Sequence, residues 1–189
     1  MFQVGVLLLA AGVSHRFGSD KRAAVMPNGK TVLETTLENI KQAGLPFKLC
    51  LAPSDRALAS AFDLEQHQLI FCHNAAKGMG VTLAEGMTQI PDWQGTIIAL
   101  GDMPWVQPHT YTLLKASVSK DTLCVPTYEG QKGNPVAFGE DFYETLRQSN
   151  GDRGARFLID NNPDQVNLIA VDDSGILRDI DQLKDLHTD

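Results

Sequence analysis

The amino-acid sequence predicts an α/β fold, a mostly parallel β-sheet covered on both faces by helices. Three observations predict it. Short continuously apolar runs, such as Val4–Leu9 and Thr96–Leu100, have the composition of strands buried on both faces. Segments with helical apolar spacing alternate with these runs, the order expected of βαβ units. Two of the runs lead straight into turns containing glycine, Ala10-Ala11-Gly12 and Gly101-Asp102, as connections at the carboxyl edge of such a sheet do.

The elements follow in chain order. Val4–Leu9 is the first strand. Thr31–Ala43 is a helix, with Val32, Leu33, Thr36, Leu37 and Ile40 on one face and Gly44 and Pro46 ending it. Phe47–Ala52 is a second strand, and Ser54 is the expected N-cap of a helix through Phe62. Leu69–Cys72, Thr96–Leu100, Thr122–Val125, Pro135–Phe138 and Val166–Ala170 are further strands. Val81–Gln89, Pro108–Val118, Asp141–Gln148 and Arg153–Asp160 are helices, with Asp152 the expected N-cap of the last, and Gln182–Leu186 is a final helical turn. No repeat, linker or low-complexity stretch divides the 189 residues, so one domain over 1–189 is expected.

Composition excludes several classes. The formal net charge of −7 opposes non-specific binding to nucleic acid, whose phosphates select basic surfaces. No apolar run reaches the ~18 residues of a membrane span, and Phe2–Ala11 lacks the basic flank of a signal peptide. Cys50, Cys72 and Cys124 lie far apart in apolar stretches, the pattern of reduced core thiols in a cytoplasmic protein. The histidines show no metal-ligand spacing, and no Gly-x-Ser-x-Gly elbow is present. Trp93 and Trp105 look exposed; Trp105, just after the Asp102 turn, is placed at an acceptor pocket or in core or rim packing.

Three segments carry chemistry. In Leu9-Ala10-Ala11-Gly12-Val13-Ser14-His15-Arg16-Phe17-Gly18-Ser19-Asp20-Lys21, a strand enters a loop with two glycines, an arginine and a lysine. Glycines let backbone N–H groups approach phosphate oxygens, and Arg16 and Lys21 supply the fixed cations that a triphosphate needs. The loop is neither a Walker A sequence nor a Gly-x-Gly-x-x-Gly dinucleotide fingerprint, which counts against a doubly wound dehydrogenase, a third alternative that would require NAD binding. In Gly101-Asp102-Met103-Pro104, a carboxylate at the end of a buried strand is a candidate ligand for Mg²⁺, with a turn cap as the competing role. In Asp179-Ile180-Asp181, alternate residues of an extended segment put two carboxylates on one side, either able to join Asp102 at a metal, with solvated surface as the competing role. Gly78, Gly80 and Thr82 form a loop entering a helix, suited to a ribose, base or phosphate. Asn134 and Pro135, in a turn before a strand, and Arg156 are candidates for holding an acceptor. Plain turn chemistry explains these last segments equally well.

The order of these motifs resembles the MobA-like nucleotidyltransferase superfamily, and most closely the MocA-type molybdenum cofactor cytidylyltransferases. The pattern Leu-Ala-Ala-Gly-x-Ser-x-Arg-x-Gly-x-x-Lys is matched at Leu9, Ala10, Ala11, Gly12, Ser14, Arg16, Gly18 and Lys21. Gly78-Met79-Gly80, Gly101-Asp102-x-Pro104, Gly133-x-Pro135-Val136, Gly151-Asp152-x-Gly154-Ala155-Arg156 and Asp179-Ile180-Asp181 follow in the same order, over nearly the whole chain. The resemblance implies a Rossmann-like three-layer α/β/α sandwich of the nucleotide-diphospho-sugar transferase type. It implies that Leu9–Gly12 and Ser14 hold the nucleotide, that Arg16 and Lys21 contact the triphosphate, and that Asp102 binds Mg²⁺ with Asp181 the favoured second ligand. It also implies CTP as donor, since guanylyl relatives more often carry Leu-Ala-Gly-Gly, and a molybdopterin-type phosphate as acceptor, with a molybdoenzyme or chaperone as a compatible partner. Two departures stand out. Cytidylyltransferases usually carry Ser where Gly80 stands, and the usual Thr-Pro after Asp-Ile-Asp is Gln182-Leu183 here.

The reaction these residues suit is in-line transfer of a nucleoside monophosphate to an acceptor phosphate, with release of pyrophosphate. A sugar-phosphate nucleotidylyltransferase and a non-catalytic nucleotide-binding protein are the alternative readings.

Overall fold

The computed structural model describes residues 2–12, 20–152 and 154–187. Its centre is an eight-stranded sheet: β1 (Val4–Leu9), β2 (Phe47–Leu51), β3 (Leu69–Phe71), β4 (Gly95–Leu100), β5 (Leu123–Tyr128), β6 (Gln131–Lys132), β7 (Val136–Gly139) and β8 (Val166–Ala170). The spatial order is β3-β2-β1-β4-β7-β5-β6, with β8 added beside β5. β1, β2, β3 and β4 run parallel, and β8 is parallel to β5. β7 reverses between β4 and β5, antiparallel to both, and the short β6 is antiparallel to β5. The mostly parallel sheet expected from the sequence is therefore present.

Among the described residues six α-helices cover it: α1 (Val32–Gln42), α2 (Arg56–Ser60), α3 (Met79–Met87), α4 (Pro108–Ser117), α5 (Tyr143–Arg147) and α6 (Arg156–Asn161). Because strand side chains alternate faces, β1 feeds two separate apolar layers. Val4, Val6 and Leu8 pack with Leu33, Leu37 and Ile40 of α1 and with Tyr111 and Leu114 of α4. Leu7 and Leu9 pack on the other face with Leu83 and Met87 of α3, Leu146 of α5 and Leu158 of α6. This is a three-layer α/β/α sandwich. Burial of β1 on both faces explains its unbroken apolar run.

Local chemistry sets the boundaries. Thr31 caps α1 in a reciprocal capping box with Glu34, and Gly44, at φ +67°, ends the segment. Ser54 does not cap the next helix. It lies in the 3₁₀ turn Pro53–Asp55, and α2 starts at Arg56, one residue later than expected. Asp152 does not cap α6 either; the helix begins at Arg156 after a turn in which Gly151 and Gly154 have positive φ. The short β6 was absent from the sequence reading. It forms because Glu129 and Gly130, at φ +49° and +79°, make a tight reversal of the kind a two-residue hairpin requires.

Trp93 is buried, contrary to the expectation of exposure. Its indole fills the space beside Gly5, where a Cβ would lie 2.2 Å from the ring. Trp105 lies at the edge of a small cluster with Met26, Val32, Ile180 and Leu186, its ring stacked on the Arg178 guanidinium at 4.1 Å. All three cysteines are buried and free. Cys50 on β2 and Cys72 just after β3 are nonetheless neighbours, and hydrogen bonding to Cys72, with burial, pushes the Cys50 thiol up. Among the described residues no helix is long and apolar enough to cross a membrane.

Candidate active site

Parallel pairing brings the first two chemical segments together. β1 and β4 are neighbours in register to their ends, with Leu9 opposite Leu100. The turns that follow, at Ala10 and at Gly101, therefore leave the sheet side by side. Gly101 donates its N–H to the Leu9 carbonyl at 2.9 Å. A Cβ at Gly101 would lie 2.8 Å from the Ala10 methyl, so only glycine lets the two turns approach this closely.

Lys21 joins this rim from a 3₁₀ turn at Lys21–Ala23, capped by the Asp20 carboxylate. Its Nζ donates to Asp102 Oδ2 at 2.6 Å and to the Ile180 carbonyl at 2.8 Å, and lies 3.7 Å from Asp181 Oδ1. The C-terminal segment is fixed from the other side by the Ile180 N–H, which donates to the Asp102 carbonyl at 2.9 Å. Asp102, Lys21 and Asp181 thus meet at one point. Burial, and then the negative charges of Asp102 and Asp181, hold the Asp179 carboxyl above its usual value.

A cavity of about 180 Å³ opens at this rim. Leu9, Ala10, Ala11 and Gly12 form one side, and Lys21, Thr82 and Asp102 border it. A larger groove of about 950 Å³ adjoins it, sharing Leu9, Met79 and Leu100. Its floor includes Ile98, Val125 and Phe138 from the sheet, and its rim carries Lys132, Asn134, Asp152 and Arg156. Pro135 is buried at the start of β7. Ser14, Arg16 and Gly18, and with them two of the expected nucleotide contacts, lie outside the described residues, as does Arg153.

Gly78 and Gly80 have a packing role. A Cβ on Gly80 would lie 2.5 Å from the Asn150 carbonyl oxygen, and the Gly80 N–H donates to the Gly151 carbonyl at 2.7 Å. Gly78 has φ +120°, and a Cβ there would meet Asp152 Oδ1 and the Gly151 carbonyl at 2.6 Å. The two glycines seat α3 against the 150–152 turn. That seating leaves no space for the serine usual at position 80. From this helix it is Met79 and Thr82 that reach the cavity.

Sequence reasoning missed Arg22. Its side chain is 10% exposed, and it binds two carboxylates. Asp20 accepts from Nε and Nη2, both at 2.8 Å; Asp55 accepts from Nη1 at 2.6 Å and Nη2 at 3.0 Å. Nη1 also donates to the Ala10 carbonyl at 2.5 Å. Burial opposes this charge, and the bonds from Asp20 and Asp55 outweigh it, so the guanidinium is held above its usual value. The bond to Arg22 in turn holds the Asp20 carboxyl low. The one sequence signal was a second cation next to Lys21; its decisive partner Asp55 is 33 positions away.

Asp102 Oδ1 is buried without a hydrogen-bond partner, the state of an oxygen left for a ligand. Among the described residues no group of three or more His, Cys, Asp or Glu side chains is set to hold a metal. Mg²⁺ needs fewer, since one or two carboxylates suffice when phosphate oxygens and waters complete the shell. The donor set of Asp102 and Asp181 fits a hard divalent cation on those terms.

A glycine turn, a lysine and an aspartate at the carboxyl edge of a parallel sheet, opening on a second groove, define an α/β protein built to hold a phosphorylated nucleotide. The sequence pattern of the MobA-like NTP transferase domain matches residues 6–166, and the chain belongs to that family within the nucleotidyltransferase superfamily. It is 23% identical over 190 residues to nicotine blue oxidoreductase of Paenarthrobacter nicotinovorans, covering 96% of this chain and 93% of that one. The crystal structure of Rv0371c from Mycobacterium tuberculosis H37Rv superposes with a TM-score of 0.83 at 27% identity, over 98% of this chain and 96% of that one. A manganese complex of Rv0371c gives 0.80 at 26%, over 97% and 95%.

Proposed function

We propose that the protein is a divalent-metal-dependent nucleotidyltransferase that transfers CMP from CTP to a phosphorylated acceptor of the molybdopterin type and releases pyrophosphate. The observation that carries the reading is the convergence of the Ala10–Gly12 turn, Lys21 and Asp102 on one cavity that opens into a second groove.

In this reading the nucleoside triphosphate lies in the smaller cavity, its phosphates over the Ala10–Gly12 turn and against Lys21. The acceptor lies in the groove bordered by Asn134 and Arg156. An acceptor phosphate oxygen attacks the α-phosphorus, the bond to the bridging oxygen breaks, and pyrophosphate leaves with its electron pair. The nucleophile is already an anion, so no protein base is required. Lys21 stabilises charge growing on the leaving group, Arg156 neutralises and orients the acceptor, and the apolar floor excludes water. Asp102 and Asp181 would hold Mg²⁺, which when bound would neutralise charge on the phosphates. Manganese in the structure of Rv0371c supports a divalent cation here. CTP and the pterin phosphate rest on the Leu-Ala-Ala-Gly pattern alone.

The test is pyrophosphate release across four nucleoside triphosphates, with molybdopterin and common sugar phosphates as acceptors, in Mg²⁺ and in Mn²⁺. Release with CTP and molybdopterin is expected. Release only with a sugar phosphate would move the protein to the sugar nucleotidylyltransferases, and binding without release would make it a non-catalytic nucleotide-binding protein.

A further inference from the structure

The basic cluster beside the nucleotide cavity divides its labour. Lys21 points at Asp102, whereas Arg22, also bordering the cavity, is occupied by Asp20 and Asp55. Two carboxylates on one guanidinium leave no net positive charge there for a phosphate. What Arg22 does reach is the Ala10 carbonyl. Ala10 is gripped at both ends, its N–H donating to the Cys50 carbonyl at 3.0 Å and its C=O accepting from Arg22 at 2.5 Å. In a planar trans peptide the C=O and the next N–H point in opposite directions. With the Ala10 carbonyl turned to Arg22, the Ala11 N–H is turned away from it. Ala11 borders the cavity, and its N–H has no acceptor among the described residues. A backbone donor without a partner, in a residue that is 3% exposed, calls for a ligand acceptor.

We propose that Arg22 is a positioning residue of the nucleotide site: locked between Asp20 and Asp55, it holds the Ala10–Ala11 peptide so that the Ala11 N–H is presented to an anionic phosphate oxygen. The inference rests on the nucleotide-site reading above. It concerns binding, and so does not depend on which acceptor is used or whether transfer follows. Asp55 acts through Arg22, and its other bond, from the Ala52 N–H at 3.0 Å, ties the assembly to the end of β2.

The sign of one substitution separates positioning from direct charge. Asp55→Asn removes a negative charge near an anion site, which by Coulomb's law alone tightens anion binding. If Asp55 instead holds the fork that aims Ala11, the same substitution weakens it. The assay is titration calorimetry of the intact protein with inorganic tripolyphosphate, beside the ¹⁵N shift of the Ala11 amide. We expect Asp55→Asn to weaken tripolyphosphate binding about fivefold, and Arg22→Lys, which keeps the charge and loses the bidentate fork, about tenfold. The large Ala11 amide shift of the parent protein should shrink in both. Unchanged or tighter binding in a variant that melts cooperatively would overturn the proposal, as would an Ala11 amide unmoved by tripolyphosphate in the parent protein. Thermal melts identify a variant that fails to fold, and the other variant and the parent's Ala11 signal then decide. Pyrophosphate release by the parent protein is scored separately. Its absence would count against the transferase reading while leaving the binding comparison intact.

Discussion

The Nζ of Lys21 lies 2.6 Å from Oδ2 of Asp102, although 81 positions separate them in the chain. The pairing of β1 with β4 produces this contact, since it brings the turns after both strands to one rim. On the function proposed above, this cation faces the phosphates of a nucleotide and this anion a divalent metal.

Lys21→Ala and Asp102→Asn should each slow pyrophosphate release by about 10²–10³-fold, the effect of removing one preorganised charge-stabilising group. Circular dichroism should remain that of the parent protein. Turnover at the parent rate in either variant would remove that residue from the reaction.

Gly80→Ser should restore the residue usual in cytidylyltransferases and yet destabilise the protein. The new Cβ would stand 2.5 Å from the Asn150 carbonyl oxygen, which belongs to the backbone and cannot swing aside. A loss of about 1–3 kcal/mol, typical of overpacking, should appear in chemical denaturation. A neutral result would mean that α3 and the 150–152 turn separate easily.

Stability should fall in acid partly through Asp20. Its folded-state value is held below its ordinary value of 3.8, chiefly by the hydrogen bond to Arg22. A depressed carboxyl contributes stability above the unfolded value and loses it as pH falls through the folded value. Asp20→Asn should therefore be less stable than the parent at neutral pH, with the gap closing below about pH 4 as the parent's carboxyl takes up its proton. Melting temperatures measured along a pH series would show this; a gap that stays constant into strong acid would contradict it.

Arg156→Ala should raise the acceptor KM by about tenfold or more, the worth of a charge-assisted hydrogen bond, and leave the nucleotide KM near that of the parent protein. Initial rates with each substrate varied in turn separate the two. An effect confined to the nucleotide would place the acceptor outside the groove lined by Asn134 and Arg156.

The sheet was legible because its strands announce themselves: Val4–Leu9 and Val166–Ala170 occupy the expected residues, and α1 lies within one residue of the expected segment at each end. The meeting of Lys21 with Asp102 was legible too, since each motif directly follows or lies near the end of a buried strand. Arg22 was not, because the meaning of a buried guanidinium lies in its partners, and Asp55 belongs to a different βα connection. Ser54 and Asp152 failed as caps for a related reason. Capping residue types report a turn, and which residue of that turn starts the helix is decided by packing and backbone dihedrals. At Gly80 the departure from the family pattern is visible in the sequence, and its spatial reason, the Asn150 carbonyl beside it, is visible only in the structure.

The reversal of β7 has a consequence for how the family can diversify. In a wholly parallel sheet every residue at the working rim comes from the end of a strand and the connection after it. Here Val136, at the beginning of β7, pairs with Ile98 near the end of β4, so residues that precede a strand, Gly133 and Asn134, also reach the rim. The hairpin strand leading into them, β6, pairs with β5 and not with the strands that carry the turns at Ala10 and Gly101. On the function proposed above, the half of the cleft assigned to the acceptor can therefore vary while the half built by the turns after β1 and β4 is kept.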